Sequence, residues 1–270
     1  RKKKIKIMKK KEEINQIKID LEIKAEDLEY EQIILSEPLE IKSWWYYLEY
    51  KKKQKETTKR QINIIFERAL KQIPYSYKLW FHYLENRKQQ VGQQIHAKKH
   101  TQERKRAEAI IQIYERSLAY MNKMPRIWLD YAKYLYKLGY ITKTRKTYDA
   151  ALQALPLSQH ELVWKDYIEF IKDEKIPLKI QKYVMERYCQ LKPEAREEYI
   201  DYLIEKEEIG EGLLALLDYV NDETKEMKNR SRYEVWQMIC DIIAQYPQEI
   251  KKYDQIKVDM VLKSGMKQFK

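Results

Sequence analysis

One local pattern recurs along this chain, and it limits the fold more than any other feature does. An aromatic residue is followed, three positions later, by a tyrosine. The copies are Trp44–Tyr47, Trp80–Tyr83, Trp128–Tyr131, Trp164–Tyr167 and Tyr199–Tyr202, with a degenerate sixth copy at Trp236–Ile239. The intervals between successive copies are 36, 48, 36, 35 and 37 residues. A period of this length predicts an array of repeated supersecondary units.

The residues around each copy have helical periodicity. In the third copy, apolar residues lie at i, i+3, i+4 and i+7, namely Trp128, Tyr131, Ala132 and Leu135. This spacing places them on one face of a helix, which we call helix A. The scarcity of glycine (five) and proline (seven) in 270 residues also favours long helices over strands and turns.

A second helical stripe, helix B, follows each helix A. It is clearest at Ile62, Ile65, Phe66, Ala69, Leu70 and Ile73, and it recurs 48 and 82 residues further on. Its centre carries an aromatic residue, an acid and then a small residue at the position of Ala69, which lets neighbouring helices approach closely. A single helix pair cannot bury both stripes, but stacked pairs can. We therefore predict an all-α fold, an α-solenoid of about six helix–turn–helix repeats in one array over residues 27–270.

The net charge of +12 is confined to two segments. Residues 1–11 carry +8 and residues 86–106 carry +6, which leaves −2 for the rest of the chain. Residues 1–26 are predicted to form a basic tail, either disordered or a helical extension. Residues 86–106 account for the long interval of 48 and are predicted to form a basic insertion in the A–B turn of repeat two. Such runs are either solvated segments or arms that contact RNA or an acidic partner.

The sequence offers little that suggests catalysis. The five glycines form no phosphate-binding loop, so we predict no cofactor and no catalytic residue. His96 and His100, with Glu103 nearby, could share a helical face, but a solvated loop is the simpler interpretation and no metal site is predicted. The recurring Glu-Arg pairs are interpreted as structural bridges between helices. No apolar run approaches the roughly 18 residues that a membrane span requires.

The motifs resemble those of HAT (half-a-TPR) repeats, in which Trp-x-x-Tyr is followed by an aliphatic residue and Glu. Longer strings, such as Met124-Pro125-Arg126-Ile127-Trp128-Leu129-Asp130-Tyr131, are similar to the N-terminal part of the Syf-one splicing factors, called XPA-binding protein two in animals. The resemblance implies a nuclear, non-catalytic scaffold in the NineTeen-associated complex of the activated and catalytic spliceosome. The implied partners are a crooked-neck-like HAT protein, the aquarius helicase and an Isy-type protein.

The sequence departs from the family pattern in ways that leave some questions open. Glu40 stands where a serine cap is expected before Trp44, and family members hold more repeats, so we expect that the array is truncated at its C-terminus. Lys143, Arg145 and Lys146 lie off the helix-B stripe and are predicted to be exposed partner contacts. The alternative function is RNA or DNA binding through the basic tail and insertion, in other RNA processing or in transcription-coupled repair.

Overall fold

A computed structural model of the chain describes residues 25–91, 101–221, 229–251 and 261. Within these ranges the regular elements are helical and no strand occurs. The α-helices are α1 (Leu28–Ser36), α2 (Ile41–Lys53), α3 (Lys59–Gln72), α4 (Tyr77–Val91), α5 (Thr101–Met121), α6 (Pro125–Lys137), α7 (Ile141–Ala154), α8 (His160–Ile171), α9 (Leu178–Leu191), α10 (Arg196–Glu205), α11 (Ile209–Asn221), α12 (Arg232–Gln245) and α13 (Pro247–Ile250). Short 3-10 helices cover Ala25–Asp27, Leu157–Gln159 and Pro193–Ala195.

The helices alternate as the repeat pattern predicts. The signature aromatic residues lie on the even-numbered helices from α2 to α12, which are the A helices, and the second stripe lies on the odd-numbered B helices. The predicted all-α solenoid of helical repeats is therefore confirmed. Sequence reasoning did not recognise α1 as a B helix, although Tyr30-Glu31 lies 36 residues before Phe66-Glu67.

The chain divides into two compact units, the first ending at Tyr167 and the second beginning at Ile168. In the first unit, each helix from α1 to α7 packs against the next one along the chain. In the second unit, α9 to α12 pack in the same sequential way. A single array over residues 27–270 stays a prediction.

Small residues occupy one fully buried position of the B helices in the first unit. Ala69, Ser117 and Ala151 occupy the same position in three successive B helices, and each has no exposed surface. The Ser117 hydroxyl donates a hydrogen bond to the Tyr114 carbonyl at 2.7 Å, so its polar group is satisfied inside the core. A larger side chain at these positions would overpack the core.

The helix starts and ends follow from local chemistry. Thr58 and Gln61 form a reciprocal capping box at the start of α3. Glu40, whose capping ability was uncertain, does cap α2, because its carboxylate accepts a hydrogen bond from the Lys42 backbone N–H at 3.3 Å. At the other end of a helix, Gly139 follows α6 with φ of +80°, a conformation that glycine adopts without steric cost.

The N-terminal edge of the first unit is held by a buried ion pair. Lys51 Nζ lies 2.7 Å from Asp27 Oδ2, and both side chains are almost fully buried. The pair fastens the Ala25–Asp27 helix to α2, and Glu26 also accepts a hydrogen bond from the Tyr50 hydroxyl. The last two residues of the predicted basic tail are thus part of the fold, while residues 1–24 lie outside the described residues.

Candidate protein-interaction surface

The signature tryptophans hold the turn that precedes each A helix. The Trp44 indole N–H donates to the Pro38 carbonyl at 2.9 Å, and Trp80 donates to the Pro74 carbonyl at 2.7 Å. Trp128 makes the same bond, at 2.9 Å, to the carbonyl of Asn122, again six residues earlier. Trp44 and Trp80 are buried, whereas Trp128 is half-buried. The indole therefore fills the core and also satisfies a backbone carbonyl at the turn.

The signature tyrosines dock each A helix on the preceding B helix. In the first unit their rings stack on the aromatic residue at the centre of helix B, with centroids 5.2 Å apart for Tyr83–Phe66, 4.9 Å for Tyr131–Tyr114 and 4.8 Å for Tyr167–Tyr148. Their hydroxyls donate to the acid that follows that aromatic residue, at 2.7 Å for Tyr83–Glu67, 3.1 Å for Tyr131–Glu115 and 3.3 Å for Tyr167–Asp149. The aromatic-acid pair in helix B and the tyrosine in helix A thus form one structural unit.

The second unit contains a related contact. Tyr199 on α10, which stands in the tryptophan position of the signature, donates its hydroxyl to Glu186 on α9 at 3.5 Å. Tyr202 is half-buried and donates instead to Gln181 of α9. Trp236 on α12 is buried in a core shared with α11.

Burial keeps these phenols protonated. It raises the pKa of Tyr83, and the hydrogen bond to Glu67 raises it further. Burial also raises the pKa of Tyr131, with an added contribution from the charge on Glu115. A phenol that donates to a carboxylate cannot easily lose its proton, so these groups act as hydrogen-bond donors that hold helices together.

The arginine that follows each acid links consecutive B helices. Arg68 on α3 makes two hydrogen bonds of 2.6 Å to Glu31 on α1, and Arg116 on α5 binds Glu67 on α3 at 2.6 and 3.2 Å. Each guanidinium also lies 5.6 Å from the ring centre of the intervening tryptophan, Trp44 or Trp80 respectively. We call this series of contacts the Glu-Arg ladder. The interpretation of the Glu-Arg pairs as bridges between helices agrees with these contacts.

The third copy of the Glu-Arg ladder is built differently, and this bears on the predicted partner contacts. Ala150 stands where the arginine would be, and Lys143 lies 2.9 Å from Glu115 in its place. Arg145 forms an ion pair with Asp149 on its own helix at 3.2 Å. Both Lys143 and Arg145 are therefore half-exposed and engaged within the chain, contrary to the expectation of free exposure, while Lys146 is exposed. A partner contact at these three residues stays a prediction.

The basic insertion is more helical than expected. Residues 86–91 continue α4 and residues 101–106 begin α5, because glycine and proline are absent from both stretches. The Lys88 ammonium lies 2.9 Å from Asp130 on α6, so part of its charge is neutralised inside the fold. Residues 92–100, which include His96 and His100, lie outside the described residues.

A small cluster of polar and charged side chains surrounds Trp45, the one tryptophan that is not part of a repeat signature. Its indole N–H donates to Glu49 at 2.7 Å, and its ring lies 4.5 Å from the His82 ring. The Lys78 ammonium lies 4.6 Å from the centre of the same ring. Burial and the charges of Lys52 and Lys78 lower the pKa of His82, although Glu85 opposes them.

A cleft lies between two B helices of the first unit. It is formed by α3 and α5, with α4 at its base, and it has a volume of about 770 Å³. Its cations are Arg60, Arg68, Lys71, Arg87 and Arg116, its carboxylate is Glu67, and its remaining lining residues are Asn63, Ile64, Leu70, Trp80 and Tyr120. We call it the B-helix cleft. Neither its depth nor its charge was evident from the repeat pattern, because the contributing residues are up to 60 positions apart.

The described part of the chain contains no group of three or more His, Cys, Asp or Glu residues placed to hold a metal ion. No helix there is both long and apolar enough to cross a bilayer. Burial raises the pKa of the Cys189 thiol to about 11, while Cys240 is exposed.

Alternating A and B helices, joined by stacked tyrosines and the Glu-Arg ladder, define a helical-repeat protein of the HAT class. The family model for the N-terminal HAT repeats of the pre-mRNA-splicing factors Syf1 and CNRKL1 matches residues 26–194, and the model for the middle HAT repeats of SYF1 matches residues 196–270. The chain belongs to the Syf1 family of pre-mRNA-splicing factors, so the resemblance found in the sequence is confirmed.

Relatives from distant organisms agree with this assignment. Pre-mRNA-splicing factor SYF1 of Homo sapiens is 37% identical over 253 residues, which cover 93% of this chain and 28% of the human protein. The Dictyostelium discoideum SYF1 is 36% identical over 247 residues, covering 90% of this chain and 27% of that protein. The factor cwf3 of Schizosaccharomyces pombe is 32% identical over 251 residues, covering 92% and 30%. The chain thus spans less than a third of the length of these relatives.

Proposed function

We propose that this chain is part of a non-catalytic scaffold for pre-mRNA splicing, which binds partner proteins along its helical-repeat surface in the nucleus. Membership of the Syf1 family carries the proposal, since the relatives are named as pre-mRNA-splicing factors. The way the chain uses its polar side chains supports it. The recurring tyrosines, acids and arginines are engaged in holding helices together, which suits a protein whose outer surface binds and whose interior does no chemistry.

The proposed assembly is the NineTeen-associated complex of the activated and catalytic spliceosome. The proposed partners are a crooked-neck-like HAT protein, the aquarius helicase and an Isy-type protein. Helices or extended segments of such partners would lie in the grooves between repeats, as other amphipathic peptides lie in grooves of helical proteins.

Affinity purification tests this proposal directly. The 270-residue chain, tagged and added to nuclear extract, is expected to enrich splicing proteins over an untagged control, with the crooked-neck-like protein among them. The matched control is a chain with Trp80→Ala, which removes a large core side chain and should abolish the enrichment by disrupting the repeats. Enrichment of no splicing component by the wild-type chain would show that the proposal is wrong.

A second candidate function is RNA binding through the basic segments. Arg104, Lys105 and Arg106 are exposed at the start of α5, and residues 1–11 carry +8. Each neutralised phosphate steepens the dependence of binding on salt concentration. The test is a salt titration of oligouridylate binding with and without residues 1–11. Absent or salt-insensitive binding would reject this candidate.

A further inference from the structure

The B-helix cleft combines a strong excess of positive charge with a largely apolar base. Five cationic side chains line it against one carboxylate, Glu67. The Glu-Arg ladder neutralises part of this charge, because Arg68 is bound by Glu31 and Arg116 by Glu67. The side chains of Lys71 and Arg60, both on α3, are exposed where they line the cleft.

Arg87 adds a more specific feature. It projects from α4 at the base of the cleft, and its Nε is buried without a hydrogen-bond partner. One terminal nitrogen of the same guanidinium bonds to Gln90 at 3.3 Å. The Arg87 side chain lines the cleft and is half-buried, so a carboxylate in the cleft can pair with its charge.

The apolar part of the cleft indicates what else the occupant must carry. Leu70 and Ile64 form one wall, and the Tyr120 ring, which is 45% exposed, forms the opposite wall and stacks 6.3 Å from Trp80. Tyr75 lies edge-on to Tyr120 with ring centres 5.6 Å apart, so it extends the apolar surface. An occupant that used only the charges would leave these rings in water.

We infer that the B-helix cleft binds an acidic amphipathic segment of a partner protein, with its apolar side chains against Tyr120 and Ile64 and its carboxylates on Lys71, Arg60 and Arg87. The cleft lies between two B helices, and a groove between helices is a site into which a third helix can pack. An RNA backbone would pair with the cations but would not require apolar walls, so the protein segment fits the cleft better.

This inference assigns one binding surface to the proposed scaffold and rests on that function. The probe is a fluorescein-labelled helical peptide in which leucines recur at i, i+3 and i+4 and glutamates occupy the other positions. Two comparison probes are the same peptide with serine for every leucine, and an oligouridylate of equal charge. Binding is measured by fluorescence anisotropy with the 270-residue chain.

Two variants of the chain separate the cleft from general charge effects. The cleft variant carries Arg60→Glu and Lys71→Glu. The matched control carries Lys165→Glu and Lys179→Glu, which make the same change in net charge at exposed positions outside the lining of the cleft. A third variant, Tyr120→Ala, removes an apolar wall without changing charge.

We expect the leucine peptide to bind about ten-fold more weakly to the cleft variant and to Tyr120→Ala, and to bind the control variant as tightly as the wild type. Equal binding of the serine peptide, tighter cleft-dependent binding of the oligouridylate, or equal effects of the cleft and control variants would each overturn the inference. The same variants tested in nuclear extract separate the two proposals. If splicing proteins are enriched by every variant, the cleft assignment fails alone; if the wild type enriches none, the scaffold proposal fails whatever the peptide does.

Discussion

At the scale of single residues, the signature tryptophans show why tryptophan recurs where phenylalanine would fill much of the same space. The bonds from Trp44 and Trp80 to carbonyls six residues earlier require the indole N–H, which phenylalanine lacks. Since the A helix begins between donor and acceptor, the bond sets the angle at which the turn enters the helix. A repeat of this kind therefore needs both the volume of the side chain and its single donor.

Trp80→Phe is expected to lower the free energy of unfolding by about 1–3 kcal/mol, because the Pro74 carbonyl loses its donor and the core loses volume. Trp128→Phe is the matched control, since Trp128 is half-buried and its bond to the Asn122 carbonyl is exposed, so that water can replace it. Urea unfolding followed by circular dichroism measures both changes. Equal losses for the two variants would contradict the buried role of the Trp80 bond.

His82 makes the stability of the fold depend on pH. Because burial and the charges of Lys52 and Lys78 lower its pKa in the folded chain, the unfolded chain takes up the proton first as the pH falls. The free energy of unfolding should therefore decrease as the pH falls from about 7 to about 5, through the ordinary titration range of histidine. His82→Gln should decrease less over this range, as measured by urea unfolding at each pH. The exposed substitution Lys146→Gln is the control, and identical slopes for His82→Gln and the wild type would be inconsistent with this view.

At the scale of helices, two kinds of contact join neighbouring helices, and they contribute different amounts to the stability of the fold. The stacked rings are buried and the hydroxyl bond is partly buried, as for Tyr83 on Phe66 and Glu67. The Glu-Arg ladder is more exposed, since the side chain of Arg116 is 49% exposed and that of Glu67 is 39% exposed. Exposed ion pairs contribute about 0–1 kcal/mol to the free energy of unfolding. The packing of helix A on helix B is therefore expected to contribute more to stability than the Glu-Arg ladder does.

Double-mutant cycles test this order of magnitude. Tyr83→Phe combined with Glu67→Ala should give a coupling energy of about 1 kcal/mol, because the alanine removes the acceptor of the Tyr83 hydroxyl. Arg116→Ala combined with Glu67→Gln should give a smaller coupling that falls further in high salt. The measurement is chemical denaturation of the four chains in each cycle. A larger coupling for the arginine pair would mean that the ladder holds the repeats together.

At the scale of the whole molecule, stability in a repeat protein comes mainly from contacts between neighbouring elements. Sequential packing within each compact unit agrees with this, because α1 to α7 and α9 to α12 each pack against the next helix in the chain. A core substitution should therefore destabilise the helices adjacent to it, and the effect should decrease with distance along the chain.

Hydrogen exchange can measure that spread. In the Trp80→Phe chain, amide exchange should become faster in α3, α4 and α5, which surround the altered side chain, and remain unchanged in α11 and α12. Mass spectrometry of exchanged peptides gives the change for each helix. A uniform increase over both compact units would show that the chain unfolds as one cooperative body.

The repeat, its two helices, the all-α fold and the family can be predicted from the amino-acid order alone. These properties are encoded locally, since the helical period and the recurrence of Trp-x-x-Tyr can be read within about 36 residues. Glu40 as a cap and the helical ends of the basic insertion could not be read in this way, because each depends on a backbone geometry that several residue types can satisfy.

Only the tertiary structure decided which side chains meet. Arg68 reaches Glu31, 37 positions away, and Lys143 replaces a missing arginine from another turn of its helix. The B-helix cleft likewise exists because residues from three helices converge once the repeats have stacked. Periodicity specifies which face of each helix is buried, but the pairing of charges across that face depends on the packing of one helix against the next.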